Sequence, residues 1–470
     1  MSTAASQHNA HHRQISRWGE TFRRSARAIR IARDLRAALF LSPNDLATLR
    51  RRRLIETITH AYQAVPYYRR LLGAAGVSPG DIRTENDLLR VPVTPSDALR
   101  SLPSEDLVSS RVRPQELRRH VTSGSTGTPF VFYRTADSEL QRILGSYRVL
   151  LSNGVRWRDR LLFIGLNAVF EGRWLQRLGL LPARVLSALT PIEVQVETLR
   201  TFRPTVLACY PSSARALAAA LLRSRADVPP IRLIFTSGET LDQHTADVVT
   251  RVFGVSPQST YGCLEVGNLG WQCGPEGPFH TGDDVVILEI LREGTPVQAG
   301  QVGEVVVTSL VRRDMPFIRY STGDLARPVP RSCACRHAFG QIEPVGGRVS
   351  EVLVLPDGSL RSALSVTACV HRVPGVLHFQ LQQDRVDHLR ILVVAADPLP
   401  PAAIAKLRAE LSPLLPGVAI VIEEVSDIRR GSGGKLPYVL VSPALRASAR
   451  LRESAPGQIL VEPPIKAYPS

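Results

Sequence analysis

The chain has 470 residues, 44% hydrophobic and 21% charged, with a formal net charge of +16 at pH 7. That length exceeds one compact core and predicts two or three domains, while no uninterrupted apolar run reaches the roughly 18 residues of a transmembrane helix. Only three of its 58 basic residues are lysines (Lys406, Lys435 and Lys466) and the arginines are scattered, so the charge reads as an Arg bias rather than a face for nucleic acid or an anionic membrane.

The first 45 residues read as a basic, partly disordered leader followed by an Arg-rich helix, whose polar side is expected to be a solvated face. They lack an apolar segment leading to a small-residue cleavage site, so the expected compartment is the cytoplasm. From Asp45 to about Leu102 the pattern is helical, with turn signals at Ser78 to Gly80 and Pro92 to Ser96. Apolar runs then alternate with helical stretches: LLFIGL, TVLACYP, IRLIFTSGE, VVILEIL and GEVVVTSL. This predicts an α/β fold, with helices layered on a sheet and a β-rich part added late. Beyond Gly347 the composition resets, with strand patterns at EVLVLPDG, HLRILVVAAD and VAIVIEEV and a helix at PAAIAKLRAELSPLL. The expected organisation is a leader over 1–45, a large N-terminal domain over 46–347, a small mobile α+β domain over 348–445 and a tail over 446–470.

The stretch VTSGSTGTPF (121 to 130) sets two glycines and five hydroxyl-bearing residues in ten positions. Such a loop can turn backbone N–H groups and hydroxyls onto phosphate oxygens, although Ser, Thr, Gly and Pro also dominate ordinary turns. A Walker A loop carries Lys directly after its last glycine. Here Gly127 is followed by Thr128 and Pro129, so a cation for this loop must come from elsewhere. Of the six cysteines, Cys209 and Cys369 sit in apolar surroundings and read as core, whereas the others cluster, Cys263 and Cys273 with His280 downstream and then Cys333 and Cys335.

Six polar signatures follow one another: TSGSTGTP (122 to 129), TSGETL (236 to 241), TYGCLEVG (260 to 267), RYSTGDL (319 to 325), GGRVSEVLVLPDG (346 to 358) and RRGSGGKLPY (429 to 438). In this order they resemble the AMP-forming adenylating enzymes, and within them the phenylacetate-CoA ligase family and its capsule-biosynthesis-type branch. The resemblance runs from about residue 50 to residue 440. It implies that Ser123, Ser125, Thr126, Gly127 and Thr128 cradle the ATP phosphates and that Glu265 helps hold Mg, a hard cation suited to carboxylate oxygen. Gly238, Glu239 and Tyr261 would surround the adenine. Asp324 would accept from the ribose hydroxyls, an acceptor-only carboxylate being suited to a diol, with Arg348 beside it.

By the same resemblance Lys435 is the catalytic lysine and the missing cation. A compact ammonium on a flexible stem enters a crowded site more readily than a planar guanidinium. The small domain would turn about a hinge just after Arg348, where Ser350 and Glu351 replace two acidic residues common in relatives. Tyr210, Pro211, Ser212 and Cys263 are candidate substrate-pocket residues. Cys273, His280, Cys333 and Cys335 offer three thiolates and one imidazole, the set that structural zinc requires, with reduced free thiols as the alternative. The implied activity is ATP-dependent formation of an acyl-adenylate from an aromatic or otherwise apolar acid, then of a thioester with coenzyme A. Delivery to an amine, hydroxyl or carrier-protein thiol, or a non-catalytic nucleotide-binding relative, stands as the alternative. No nucleic acid partner and no transmembrane segment are expected, and a homodimer is left open.

Overall fold

A computed structural model describes residues 26–121, 130–165, 181–224, 227–348, 352–371, 373–395, 397–429, 438–442 and 444–445. Residues 1–25 of the leader, the loop 122–129, the hinge positions Ser350 and Glu351, Lys435 and the tail lie outside the described residues. No described helix is long and apolar enough to cross a membrane.

The N-terminal part is helical. Ser42 caps the helix Pro43–Ala64, its hydroxyl accepting from the Asp45 amide at 3.2 Å, with Pro43 in the first helical position. Pro66 opens a second helix, Pro66–Ala74. Leu54, Ile58, Tyr68 and Leu72 bury their side chains against Ile287, Leu310 and Ile318.

A two-stranded hairpin follows, β1 Arg118–Val121 and β2 Val131–Arg134, antiparallel with Val121 opposite Val131. It opens the helix Ala136–Ser152, which Thr135 caps. Next come β3 Leu161–Ile164, β4 Ala183–Leu186, β5 Val206–Cys209, β6 Leu233–Ser237 and β7 Gln258–Cys263. The strands β8 Gly267–Gln272, β9 Phe279–Thr281, β10 Val286–Arg292, β11 Thr295–Pro296, β12 Gly303–Ser309, β13 Tyr320–Pro328 and β14 Gln341–Arg348 complete one sheet of twelve, ordered β11-β10-β12-β13-β14-β9-β8-β7-β6-β5-β3-β4. Pairings β3–β4, β3–β5, β5–β6 and β6–β7 are parallel, and from β7–β8 onward they are antiparallel. The late β-rich part is therefore a continuation of the parallel sheet rather than a separate layer. β7 joins the two halves, pairing in parallel with β6 on one side and antiparallel with β8 on the other.

The helices Pro211–Ser224 and Gln243–Phe253 pack Leu217, Leu221, Val249 and Phe253 onto Leu162, Leu207 and Ile234 of the parallel strands. Asp242 caps the second of these helices, and Gly254 ends it in the left-handed conformation, φ 70°. Cys209 lies in this core, as its apolar neighbours predict.

The C-terminal part forms a short hairpin, β15 Val352–Val354 with β16 Leu360–Ser362. A four-stranded sheet then comprises β17 Val376–Arg385, β18 His388–Ala395, β19 Ala419–Glu424 and β20 Val439–Val441, in the order β19-β18-β17-β20. Helices Ala363–His371 and Pro401–Leu411 cover it, and Cys369 is buried among Val366, Val370, Phe379 and Leu411. The fold is thus α/β, a large mixed-sheet domain with helices followed by a small sheet domain.

Candidate active site

Two of the signatures and the ACYPSS segment leave the sheet at one edge. In open α/β sheets ligands sit outside the carboxyl ends of the strands, near the point where strand order reverses. Here β3 is that point, flanked by β4 on one side and β5 on the other. Tyr210, Pro211 and Ser212 follow the carboxyl end of β5, Gly238 and Glu239 that of β6, and Leu264 and Glu265 that of β7.

Glu239 spans two of these exits. Its Oε2 accepts from the Ser212 amide and its Oε1 from the Ser212 hydroxyl, both at 3.0 Å. A carboxylate at the start of the helix Pro211–Ser224 satisfies orphan amides and suits the helix dipole. Glu239 therefore shapes the loop carrying the candidate pocket residues.

Tyr261 lies on β7 and Asp324 on β13, with β8, β9 and β14 between them in sheet order, yet the sheet curls enough for the Tyr261 hydroxyl to donate to Asp324 Oδ2 at 3.0 Å. Arg348 is the backbone partner of Asp324 on β14. Burial, then the Asp324 charge, pushes the Tyr261 phenol well above its ordinary value, so it remains a donor at neutral pH. Two motif glycines have local reasons. A Cβ on Gly262 would stand 2.4 Å from the Gly267 carbonyl oxygen, where β7 bulges against β8. Gly323, in STGD, has φ 74°, a left-handed turn that sets Asp324 in register.

Glu265 Oε1 accepts from the Tyr320 hydroxyl at 3.0 Å, and Oε2 has no partner among the described residues. One half-exposed carboxylate oxygen is thereby fixed and the other left available to a hard cation. Cys263 is a poor nucleophile in this place, because burial and then the Glu265 charge push its thiol up.

At the far end of the β13–β14 hairpin, Cys273 follows β8, His280 lies in β9, and Cys333 and Cys335 lie in the segment joining β13 to β14. Their ligand atoms all fall within 4.8 Å of one another, a group that could hold a metal ion. Cys335 Sγ lies 3.2 Å from His280 Nε2, and the Cys273 and Cys333 sulfurs are 2.8 Å apart. Sheet register makes the cluster, since His280 pairs with Trp271 on β8 and Gln341 on β14. Burial, then the neighbouring His337, lowers His280 to about 4, leaving the imidazole neutral as a metal ligand requires.

The sequence matches no protein-family model. It is 29% identical to the phenylacetate-coenzyme A ligase of Thermus thermophilus over 376 residues, 76% of this chain and 83% of the relative. It is 28% identical to the enzyme of that name from Escherichia coli, over 76% of this chain and 83% of that one. The chain is a distant homologue of phenylacetate-CoA ligases. Among solved structures it resembles 2-hydroxyisobutyryl-CoA ligase in the postadenylation state in complex with R3-HIB-AMP. The TM-score is 0.72 at 20% identity, covering 89% of this chain and 94% of that one, which identifies the adenylating-enzyme fold.

In this chain the sequence reading missed a buried ionic group beneath the Glu265 loop. Arg312 Nε donates to Asp314 Oδ1 at 3.0 Å, and Asp314 Oδ2 accepts from the Thr135 amide at 2.7 Å. The only signal for it is the charged run RRD between two apolar strands, a pattern that normally marks an exposed turn. Burial alone would raise the Asp314 carboxyl. The Arg312 guanidinium and the Thr135 and Met315 amides outweigh it and hold the group below the usual carboxylate range.

A depressed folded-state value means that this stabilisation is complete above about pH 4 and is lost as pH falls through the folded value. Replacing Asp314 by Asn leaves Arg312 buried without its counter-charge and is expected to destabilise the protein at pH 7 by about 3–5 kcal/mol. It should also flatten the dependence of stability on pH below about 4. Urea unfolding across pH 3 to 7 reads both, and a variant as acid-sensitive as the wild type would remove Asp314 as the titrating group.

Proposed function

We propose that this chain is an ATP-dependent, AMP-forming ligase that activates an aromatic or otherwise apolar carboxylic acid and transfers the acyl group to coenzyme A. The observation that carries the reading is the pairing of Asp324 with Tyr261 and of Glu265 with Tyr320, which gathers two carboxylates at the edge where the TSGE and ACYPSS loops emerge. The distant homology to phenylacetate-CoA ligases supports the same reaction class.

In the first half-reaction the acid carboxylate attacks the α-phosphorus of ATP, forming the acyl phosphate bond and releasing pyrophosphate. An anion must approach a polyanion, so positive potential has to be concentrated there. In this reading Ser123, Ser125, Thr126, Gly127 and Thr128 hold the phosphates, and Lys435 meets the α-phosphate and the carboxylate. Asp324 and Arg348 hold the ribose, while Gly238, Glu239 and Tyr261 border the adenine. Glu265 would hold Mg through Oε2, and Mg when bound neutralises charge on the phosphate oxygens. In the second half-reaction the coenzyme A thiolate attacks the acyl carbon and AMP leaves, with the small domain turning about the hinge after Arg348 to present a new face. Cys273, His280, Cys333 and Cys335 hold a structural zinc, since four protein ligands leave no open position for chemistry.

The test is pyrophosphate release from ATP over a panel of aromatic and aliphatic acids, with and without coenzyme A. Acid-dependent release, and AMP formed with thioester only when coenzyme A is present, is the expected result. Release that is unaffected by coenzyme A but stimulated by an amine or a carrier protein would replace the acceptor. Release that no acid stimulates would overturn the reading.

A further inference from the structure

The Glu265 loop is fastened by two buried arginines. Arg312 reaches three ways. Its Nε meets Asp314, one terminal nitrogen donates to the Glu265 backbone carbonyl, and the other donates to the Tyr133 carbonyl. Arg134, the residue after Tyr133, donates to the Leu264 carbonyl and to Glu139 Oε2, the latter at 3.1 Å. Residues 133–135, at the end of the hairpin strand, are thus cross-linked to residues 264–265 by two guanidinium groups and one carboxylate. The guanidinium of Arg312 lies 4.9 Å from the Phe317 ring centre and 5.4 Å from that of Phe132, a clamp that fixes its plane.

The hairpin so anchored is the one that carries the Gly/Ser/Thr loop. Val121 and Val131 are its last pair before that loop, and Phe130, at the loop's exit, is buried with its ring 6.2 Å from Phe132 and 6.3 Å from Phe317. One aromatic cluster therefore holds both the base of the loop and the plane of Arg312.

Stability alone does not account for the arrangement. Buried ion pairs are often replaceable by apolar side chains at no loss, and here burial and the nearby Arg312 and Arg142 bring Arg134 down to about 9. What a three-way planar fork does supply is a fixed distance between two backbone segments.

We infer that Arg312 is a positioning residue for Glu265, tying the loop after β7 to residues 133–135 at the end of β2 so that the Glu265 carboxylate keeps one place relative to that strand. The inference rests on the proposed role of Glu265. Arg312 touches neither substrate nor cation. It acts through the Glu265 main chain, while Tyr320 sets the side chain.

The test is calorimetric titration of ATP into the full-length protein at a series of free Mg concentrations, for the wild type, Arg312→Lys, Tyr320→Phe and Arg148→Lys. Arg148 is the matched comparison, a buried arginine paired with Asp284 at 2.7 Å and stacked on Trp271. It lines the same cavity as Arg312 but is bonded to Asp284 rather than to residues 264 and 265. Arg312→Lys and Tyr320→Phe are expected to raise the Mg concentration that half-maximally tightens ATP binding by about 10-fold, with metal-free ATP binding within about twofold of the wild type. Arg148→Lys is expected to lower thermal stability without moving the Mg requirement.

A wild-type Mg requirement in Arg312→Lys, or an equal shift in Arg148→Lys, overturns the inference. Wild-type binding of ATP that does not respond to Mg overturns it together with the assignment of Glu265. Because the titration reads binding, it decides the role of Arg312 separately from acid-dependent pyrophosphate release, on which the adenylation reading stands or falls.

Discussion

Lys435→Ala is expected to lower acid-dependent pyrophosphate release by about 10²–10³-fold, the effect of removing one preorganised partner of a developing charge. ATP affinity should change little, because the hydroxyl-rich loop and the Asp324 carboxylate remain. In the proposed role the loss belongs in kcat, since the lysine would meet charge that develops as the carboxylate joins the α-phosphate. Lys435→Arg is the informative companion. A planar guanidinium keeps the charge but not the shape of an ammonium, so it should restore at most a small part of the rate. Acyl transfer from a chemically prepared acyl-adenylate to coenzyme A should survive in both variants, because the phosphate chemistry is already complete. Full pyrophosphate release from the alanine variant would remove Lys435 from the reaction and reopen the source of the missing cation.

Removing the proposed zinc from the Cys273, His280, Cys333 and Cys335 cluster is expected to have the second largest effect, and on stability rather than chemistry. Structural zinc contributes folding free energy directly. Loss of a few kcal/mol in a protein of this size corresponds to a melting temperature lower by roughly 2–5 °C. Cys333→Ser should therefore retain well under one equivalent of zinc by elemental analysis and melt earlier, as should chelator-treated wild type. Protons compete with metal for thiolates and imidazole, so zinc retention is expected to fall as pH falls. Carefully reduced wild-type protein that carries no zinc and is indifferent to chelators would return the cluster to free thiols.

How much of this was legible in the sequence depends on which physical signal each part leaves. The apolar runs around Leu162, Leu207, Ile234, Ile287 and Val306 are short and flanked by turns, and each became a strand of the large sheet. The segment 258–281 was legible only as motifs. Its strands are rich in Gly and polar residues, and the bulge at Gly262 breaks the alternation that marks a strand. The continuous sheet of twelve was hidden for the same reason, because β7 and β8, which join its halves, carry no strong β signature. Strand β17 alternates Phe379 and Leu381 with Gln380 and Gln382, and Gln380 is itself buried, so its inward and outward faces are blurred.

Within the site, Asp324, Tyr261 and Glu265 stood out as motif positions. Which residues meet did not, because Tyr320 meets Glu265 across 55 positions of chain and Tyr261 meets Asp324 across 63. Arg312 and Asp314 were the least legible. A run of charged residues normally lies in water, and only the packed structure shows that this one is enclosed.

The ligand order of the cysteine cluster has a consequence for how the protein is made. Cys273 and His280 leave the ribosome more than fifty residues before Cys333 and Cys335, and chains grow at roughly 5–20 residues per second. For several seconds of synthesis the nascent chain therefore displays one thiol and one imidazole that cannot close a tetrahedral shell. Strand β9 waits through the same interval for β14, whose Gln341 and Ile342 pair with His280 and Phe279. Capture of the proposed zinc and the last pairing of the large sheet would thus fall at one moment of translation, just before the small domain begins to emerge.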